Sequence, residues 1–262
     1  MTKYSHYYEQ VLYPMQNEVL KILKGLELPF YLTGGTAVSR GYLNHRYSDD
    51  LDLFTNSEQN FIDNVDSVIN ALKNNKFEIE FGSSSPTFRQ IFINKNKSLS
   101  KKGLKIDFVA DLVPHFGGVI ETPVYYRTDS ARNILSNKYT ALYRISVKDT
   151  VDIHALASQY AFDWKEIISE ADEKEGGIDL KEVCEIFSCY TIDHLRKIKW
   201  VTQKTDEELE KIKDEISIIA KDMVLQQQNS LWKIKQNEKK EMTKKEEQAI
   251  IIKPSGHGEI GS

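Results

Sequence analysis

With 262 residues, 40% hydrophobic and 28% charged, the chain has a globular composition and room for one large domain or two smaller ones. Its net charge of −4 excludes a surface that grips nucleic acid all over, though not a local basic groove. No run approaches the roughly 20 apolar residues that span a bilayer, and "MTKYSHYYEQVLYPMQ" has no apolar signal-peptide core; a cytoplasmic protein without a membrane partner is expected.

From about Tyr7 to Leu26, apolar residues such as Val11, Met15, Val19, Leu20 and Leu23 recur at helical spacing and predict an opening amphipathic helix. "PFYLTGG" reads as a short buried strand ending in glycines, "TAVSRGYL" as a helical segment and "DDLDLF" as a second strand. "SEQNFIDNVDSVINALKNN" predicts a helix with a serine cap. Three strands follow, "KFEIEFG", "TFRQIFINK" and "LKIDFVA", the first two separated by "SSSP", and a further short strand is expected at "IETPVYY". Beyond Ser130 the pattern is helical: "ARNILSNKYTALYR", "VKDTVDIHALASQYAF", a region around "DLKEVCEIFSCYTIDHL", and one long helix from about Asp206 into the 240s. Cys184 and Cys189, five apart in a helical stretch, would face different directions and are read as two ordinary thiols.

Alternate strand residues share a face, so Asp50 and Asp52 point together while Leu51 and Leu53 point to the other side. Two adjacent carboxylates repel unless a cation lies between them, and hard oxygen donors suit Mg²⁺ or Mn²⁺. Asp107 is a lone acid in the apolar strand "LKIDFVA"; if the two strands are neighbours it joins the pair, giving three carboxylates of the kind used in two-metal displacement at phosphorus. Solvent-facing strand positions would account for the same acids. Gly34 and Gly35, between a strand and a helix, admit a phosphate close to the backbone, as a plain tight turn also would. There is no Walker loop and no dinucleotide fingerprint. His45 reads as a surface residue and His154 as a packed one.

Taken together, "GGTAVSRGYLNHRYSDDLDLF", "KIDFV" and "NILSNKYTALYRISVKDTVDIHAL" resemble the nucleotidyltransferase superfamily with a polymerase-β-like palm, and within it the AbiEii/AbiGii toxin group, over roughly residues 30 to 160. The matching positions are Gly34, Gly35, Ser48, Asp50, Asp52, Asp107, Lys138, Arg144, Lys148, Asp149 and Asp152. The resemblance implies an α+β fold: a palm over 1–128 with a mixed sheet flanked by helices, a helical domain over 129–252 whose first helices complete the active site, and a mobile tail at 253–262. It implies transfer of NMP from an NTP to an acceptor hydroxyl by a toxin of a type IV toxin–antitoxin or abortive-infection system. In that reading Asp50, Asp52 and Asp107 hold Mg²⁺ or Mn²⁺. Gly34, Gly35, Thr36 and Ser48 meet the nucleotide, Lys138 reaches the triphosphate, and Asp149 belongs to the catalytic set. Arg144 is expected to pair with Asp149 and Asp152 and hold the helices together.

The acceptor implied is the 3′ end of a tRNA, and the partner implied is a winged-helix antitoxin. A tRNA would need a basic groove; Lys233, Lys235, Lys239, Lys240, Lys244 and Lys245 offer one, although interleaved Glu238, Glu241, Glu246 and Glu247 give a solvated helix face the same pattern. Transfer to a protein or small molecule, and a catalytically inert nucleotide-binding module, stay open as alternatives.

Overall fold

The computed structural model describes residues 2–95 and 103–251, with side chains to residue 243. Lys244, Lys245, Glu246 and Glu247 as side chains, and the expected tail at 253–262, lie outside the described residues.

Five strands form one mixed sheet: β1 (Tyr31–Thr33), β2 (Leu51–Thr55), β3 (Glu78–Ser85), β4 (Phe88–Asn94) and β5 (Leu104–Ala110), in spatial order β1-β2-β5-β4-β3. Only β2 and β5 run parallel; the other neighbours are antiparallel. A parallel pair needs a crossover, here supplied by helix Phe61–Asn74 and the β3–β4 hairpin.

Period-2 patterning divides the two faces. Leu51 and Leu53 of β2 and Leu104, Ile106 and Phe108 of β5 are buried on one side, beneath helices Tyr13–Leu26 and Phe61–Asn74. Phe30 meets both Phe61 and Phe108 edge-on there. The other face carries Asp52, Phe54, Lys105 and Asp107. Beyond β5 the chain is helical: Ala131–Thr140, a 3₁₀ turn Ala141–Arg144, then Val147–Gln159, Trp164–Glu175, Leu180–Ser188, Ile192–Arg196, Asp206–Val224 and Ser230–Ile251.

Several boundaries differ from expectation. Helix Phe61–Asn74 is not capped by Ser57, whose hydroxyl accepts from the Gln59 amide; the helix starts after Asn60, which adopts a left-handed conformation at φ 57°. The serines of "SSSP" belong to β3, where Ser84 and Ser85 pair with Arg89 and Phe88 beyond a bulge. "IETPVYY" is no strand. It contributes only an isolated bridge from Ile120 to Thr128, because Pro123 has no amide donor and Thr122 turns back onto Tyr125 and Thr128. The expected long helix from Asp206 is two. Gln226 at φ 47° reverses the chain, and buried Asp222 accepts from Gln227 Nε2 and from the amide of Ser230. "DLKEVCEIFSCYTIDHL" likewise breaks, with Thr191 and His194 forming a capping box for the second piece. Helix Trp164–Glu175, capped by Asp163, was not anticipated.

Candidate active site

The centre of the polar face is a row of side chains at one level of the sheet. Thr33 of β1 is in register with Asp52 of β2, Asp52 with Asp107 of β5, and Asp107 with Gln90 of β4. The register explains why an acid in each of two apolar strands finds the other. Asp50, two residues before Asp52, projects from the same side just ahead of the strand.

Above Asp52 the chain leaves β1 through Gly34, at φ 67°, into the helical turn Gly34–Thr36. A Cβ on Gly34 would collide with Asp52 Oδ2, so the turn rests on the carboxylate and only glycine fits. Gly35 is as closely fitted: a Cβ there would lie 2.6 Å from Arg46 Nη2 and 3.2 Å from Ser48 Oγ.

The three acids differ in their partners. Lys105 places its ammonium 3.1 Å from Asp50 Oδ2 and 2.9 Å from Asp107 Oδ2. Asp107 Oδ1 accepts from Gln90 Nε2 at 2.9 Å. Asp52 has no hydrogen-bond or ion-pair partner among the described residues, and burial, reinforced by Asp50 and Asp107 and opposed by Lys105, pushes its pKa up to about 6. Burial also raises Asp50. Burial works against the charge of Lys105, but its bonds to Asp107 and Asp50 outweigh that and raise its pKa.

No group of three or more His, Cys, Asp or Glu side chains forms a ready-made metal cage among the described residues. Mg²⁺ does not require one, since it takes one or two carboxylates and completes its shell with water and substrate phosphate. An unpartnered, half-buried Asp52 beside Asp50 is a donor set that fits such an ion.

Behind the glycine turn lies a buried ion network. Arg46 donates to Asp152 from Nε and Nη2, both at 2.7 Å, and both side chains are buried. His45 Nε2 lies 2.9 Å from Asp152 Oδ1. Lys138 Nζ lies 2.9 Å from Asp152 Oδ2 and 2.5 Å from Asp149 Oδ1. Burial opposes the charge on Asp152, yet Arg46 and Lys138 hold its carboxyl well below the usual range.

Asp152 is thus the centre of a buried network. This corrects two expectations. His45 is inside and not on the surface. The partner of Asp152 is Arg46, not Arg144: the left-handed Ile145 at φ 51° ends the 3₁₀ turn and leaves Arg144 exposed and without an ion pair among the described residues.

Thr36 and Ser48 are also displaced from their expected role. Both are buried, and the Thr36 hydroxyl bonds to Ser48 Oγ at 3.0 Å and to the Asp50 carbonyl. They sit beneath Gly35 and brace the start of β2, and neither lines the cleft.

That cleft has a volume of about 460 Å³. Gly34, Gly35 and Asp52 form its floor, Phe54, Asp111 and Val113 one wall, and Lys138, Arg144 and Lys174 the other. It is therefore shared between the sheet and the helices that follow. Lys174 donates to Asn133 Oδ1, Ser136 Oγ and Asn137 Oδ1 at 2.8, 2.6 and 2.5 Å, all neutral acceptors, and burial lowers its pKa to about 8. Buried Asp129 ties the floor to the helical wall, accepting from Thr33 Oγ1 at 2.7 Å and Asn133 Nδ2 at 2.9 Å, with His115 Nε2 at 3.0 Å.

Sequence reasoning missed Lys105, Arg46, Asp129, His115 and Lys174. Only Lys105 carried a local signal, standing two residues before Asp107 in one strand and so on its face. Of the histidines read earlier, His154 is packed as expected, 2.7 Å from Glu215. The thiols of Cys184 and Cys189 are free, the first buried and the second exposed. The basic C-terminal stretch is partly neutralised, with Lys235 paired to Glu215 and Glu238. No helix among the described residues is long and apolar enough to cross a membrane.

Comparison with known proteins bears on the fold and the family. No curated protein sequence is a significant match. Among solved structures, a protein of H. pylori classed as a nucleotidyltransferase superposes with a TM-score of 0.56 at 20% identity, covering 85% of this chain and 97% of that one. JHP933 from Helicobacter pylori gives 0.53 at 21% identity, covering 82% and 94%. At these identities the likeness shows a shared fold. The family model "Nucleotidyl transferase AbiEii toxin, Type IV TA system" matches residues 19–244. The chain belongs to that family of nucleotidyltransferases.

Proposed function

We propose that the chain transfers a nucleoside monophosphate from an NTP to the 3′ hydroxyl of a tRNA. The observation that carries the reading is the common face of Asp50, Asp52 and Asp107, with Asp52 lining a nucleotide-sized cleft floored by Gly34 and Gly35.

The triphosphate lies along the glycine floor, where the missing side chains let phosphate oxygens approach the backbone. Arg144 and Lys174 line the same space without carboxylate partners among the described residues and meet its charge. Lys138 lines it too, with its own charge already shared between Asp149 and Asp152; those acids fix where the ammonium points. A divalent ion, Mg²⁺ or Mn²⁺, held by Asp50 and Asp52 would neutralise the triphosphate and the departing pyrophosphate.

The acceptor approaches from the open side of the row, where the Asp50 side chain is 43% exposed. Its oxygen attacks the α-phosphorus, the bond to the β-phosphate breaks, and Asp107 accepts the hydroxyl proton. Gln90 and Lys105 hold the Asp107 carboxylate for that transfer. Catalysis of this kind is positioning and electrostatics. Exposed Lys148 and half-exposed Lys199 flank Asp49 next to Asp50 and suit a polyanionic acceptor. A winged-helix antitoxin completes the proposed system, and a gene for one beside this one would support it.

The test is incubation with each α-³²P-labelled NTP, Mg²⁺ and total RNA or cell extract, beside Asp50→Ala. Label on tRNA-sized RNA that is lost in the variant supports the proposal. Label on a protein keeps the chemistry and replaces the acceptor. Binding of nucleotide without transfer to anything would make the chain an inert binding module and overturn the reading.

A further inference from the structure

The three acids present two distinct places for a cation. One lies between Asp50 and Asp107, whose Oδ2 atoms both bond to Lys105 Nζ. The other is at Asp52, which has no partner among the described residues and lines the nucleotide cleft. Asp50 borders both, since only its Oδ2 is engaged by the lysine.

We propose that Lys105 is the resident cation of the Asp50–Asp107 place, so that the protein takes one divalent ion, at Asp52 and Asp50, where a two-metal site would take two. The inference rests on the nucleotidyltransferase reading above. Charge supports it: three carboxylates and one ammonium leave two negative charges, the complement of a single divalent ion. Geometry supports it as well. The ammonium already lies about 3 Å from the Oδ2 of each acid, and Gln90 takes the other oxygen of Asp107, so an ion entering between Asp50 and Asp107 would compete with the lysine for Asp107 and be repelled by it.

Lys105 is also well fixed. It lies in β5, flanked in sequence by the buried residues Leu104 and Ile106, which anchor the backbone beneath it. Its side chain is only 29% exposed, and that of Asp107 only 16%. Gln90 holds the second oxygen of Asp107, leaving that carboxylate little freedom to turn away from the lysine. The consequence for function is that the acceptor hydroxyl is activated by the Asp107 carboxylate and not by a bound ion of its own.

The experiment is equilibrium dialysis of the full chain with Mn²⁺ and a non-hydrolysable α,β-methylene NTP, each of the four bases tried. It reads the ratio of Mn²⁺ to nucleotide retained by the protein. The wild type is expected to retain one ion per nucleotide. Lys105→Ala is expected to retain two, or to bind the second at least tenfold more tightly than wild type. Lys105→Arg, which keeps a cation there, is expected to stay at one; a merely structural lysine would not separate the two variants. Lys105→Met, which keeps the apolar stem, replaces the alanine variant if circular dichroism shows the latter unfolded. A ratio of two in the wild type, unchanged in Lys105→Ala, overturns the proposal and leaves the nucleotidyltransferase reading standing. Folded wild type that retains neither Mn²⁺ nor any nucleotide overturns both.

Discussion

Gly34→Ala should separate activity from stability. The residue sits at φ 67°, and an alanine there costs about 1–2 kcal/mol of backbone strain. In a chain of this size that lowers Tm by only a few degrees. The larger effect is local. The new Cβ would occupy the space of Asp52 Oδ2, and either the carboxylate or the glycine turn has to retreat by about 1 Å to restore van der Waals separation. A displacement of that size at a reacting centre costs about 100-fold in rate. The assay is label transfer from α-³²P-NTP at saturating nucleotide, with Tm measured on the same preparation. Gly25→Ala is the control, because nothing lies within 4 Å of its Cβ; it should leave activity unchanged. Activity of Gly34→Ala within about threefold of wild type, in a folded protein, would refute the claim that the turn and Asp52 are mutually fitted.

Two further outcomes follow from the same contacts. Asp152→Ala strips the buried partner from Arg46 and leaves Lys138 with Asp149 alone, and urea unfolding should show a loss of about 3–5 kcal/mol; a loss below about 1 kcal/mol would mean the network is relieved by water. His115 has its pKa raised by its hydrogen bond to Asp129, so its contribution is fully present below the unfolded pKa of about 6.5 and is lost as pH rises through the folded value. Wild type should therefore exceed His115→Gln in stability by about 1–2 kcal/mol at pH 5.5 and converge with it by pH 8.5; a constant difference across that range would show that the histidine acts through packing.

Much of the polar face was legible because β-strand period is local. The alternation in "DLDLF" and "LKIDFVA" places Asp52, Asp107 and Lys105 without knowledge of any other residue, and burial of Leu51, Leu53 and Ile106 confirms the phase. The glycine pair was legible as a turn, but its tight fit over Asp52 was not, since that depends on β1 lying antiparallel beside β2. Helix boundaries failed where single residues at φ > 0, Asn60 and Gln226, redirected the chain without a glycine to mark them.

The roles of charged residues were the least legible. Arg144 and Arg46 look alike as residues near acids, and only the packing of the helix Val147–Gln159 against the segment after the glycine turn puts Asp152 within reach of Arg46. Lys174 is distant from the motifs in sequence and meets the cleft only because the helix Trp164–Glu175 folds back on Ala131–Thr140, and Asp129, with His115 beside it, reaches Thr33 because its backbone pairs with β1. By itself the sequence determined which acids share a face, because that is a property of one strand. The partner of each charge was decided by the tertiary structure alone, because an ion pair depends on which elements come within a few ångströms, and residues as far apart as Arg46 and Asp152 carry no local pattern for it.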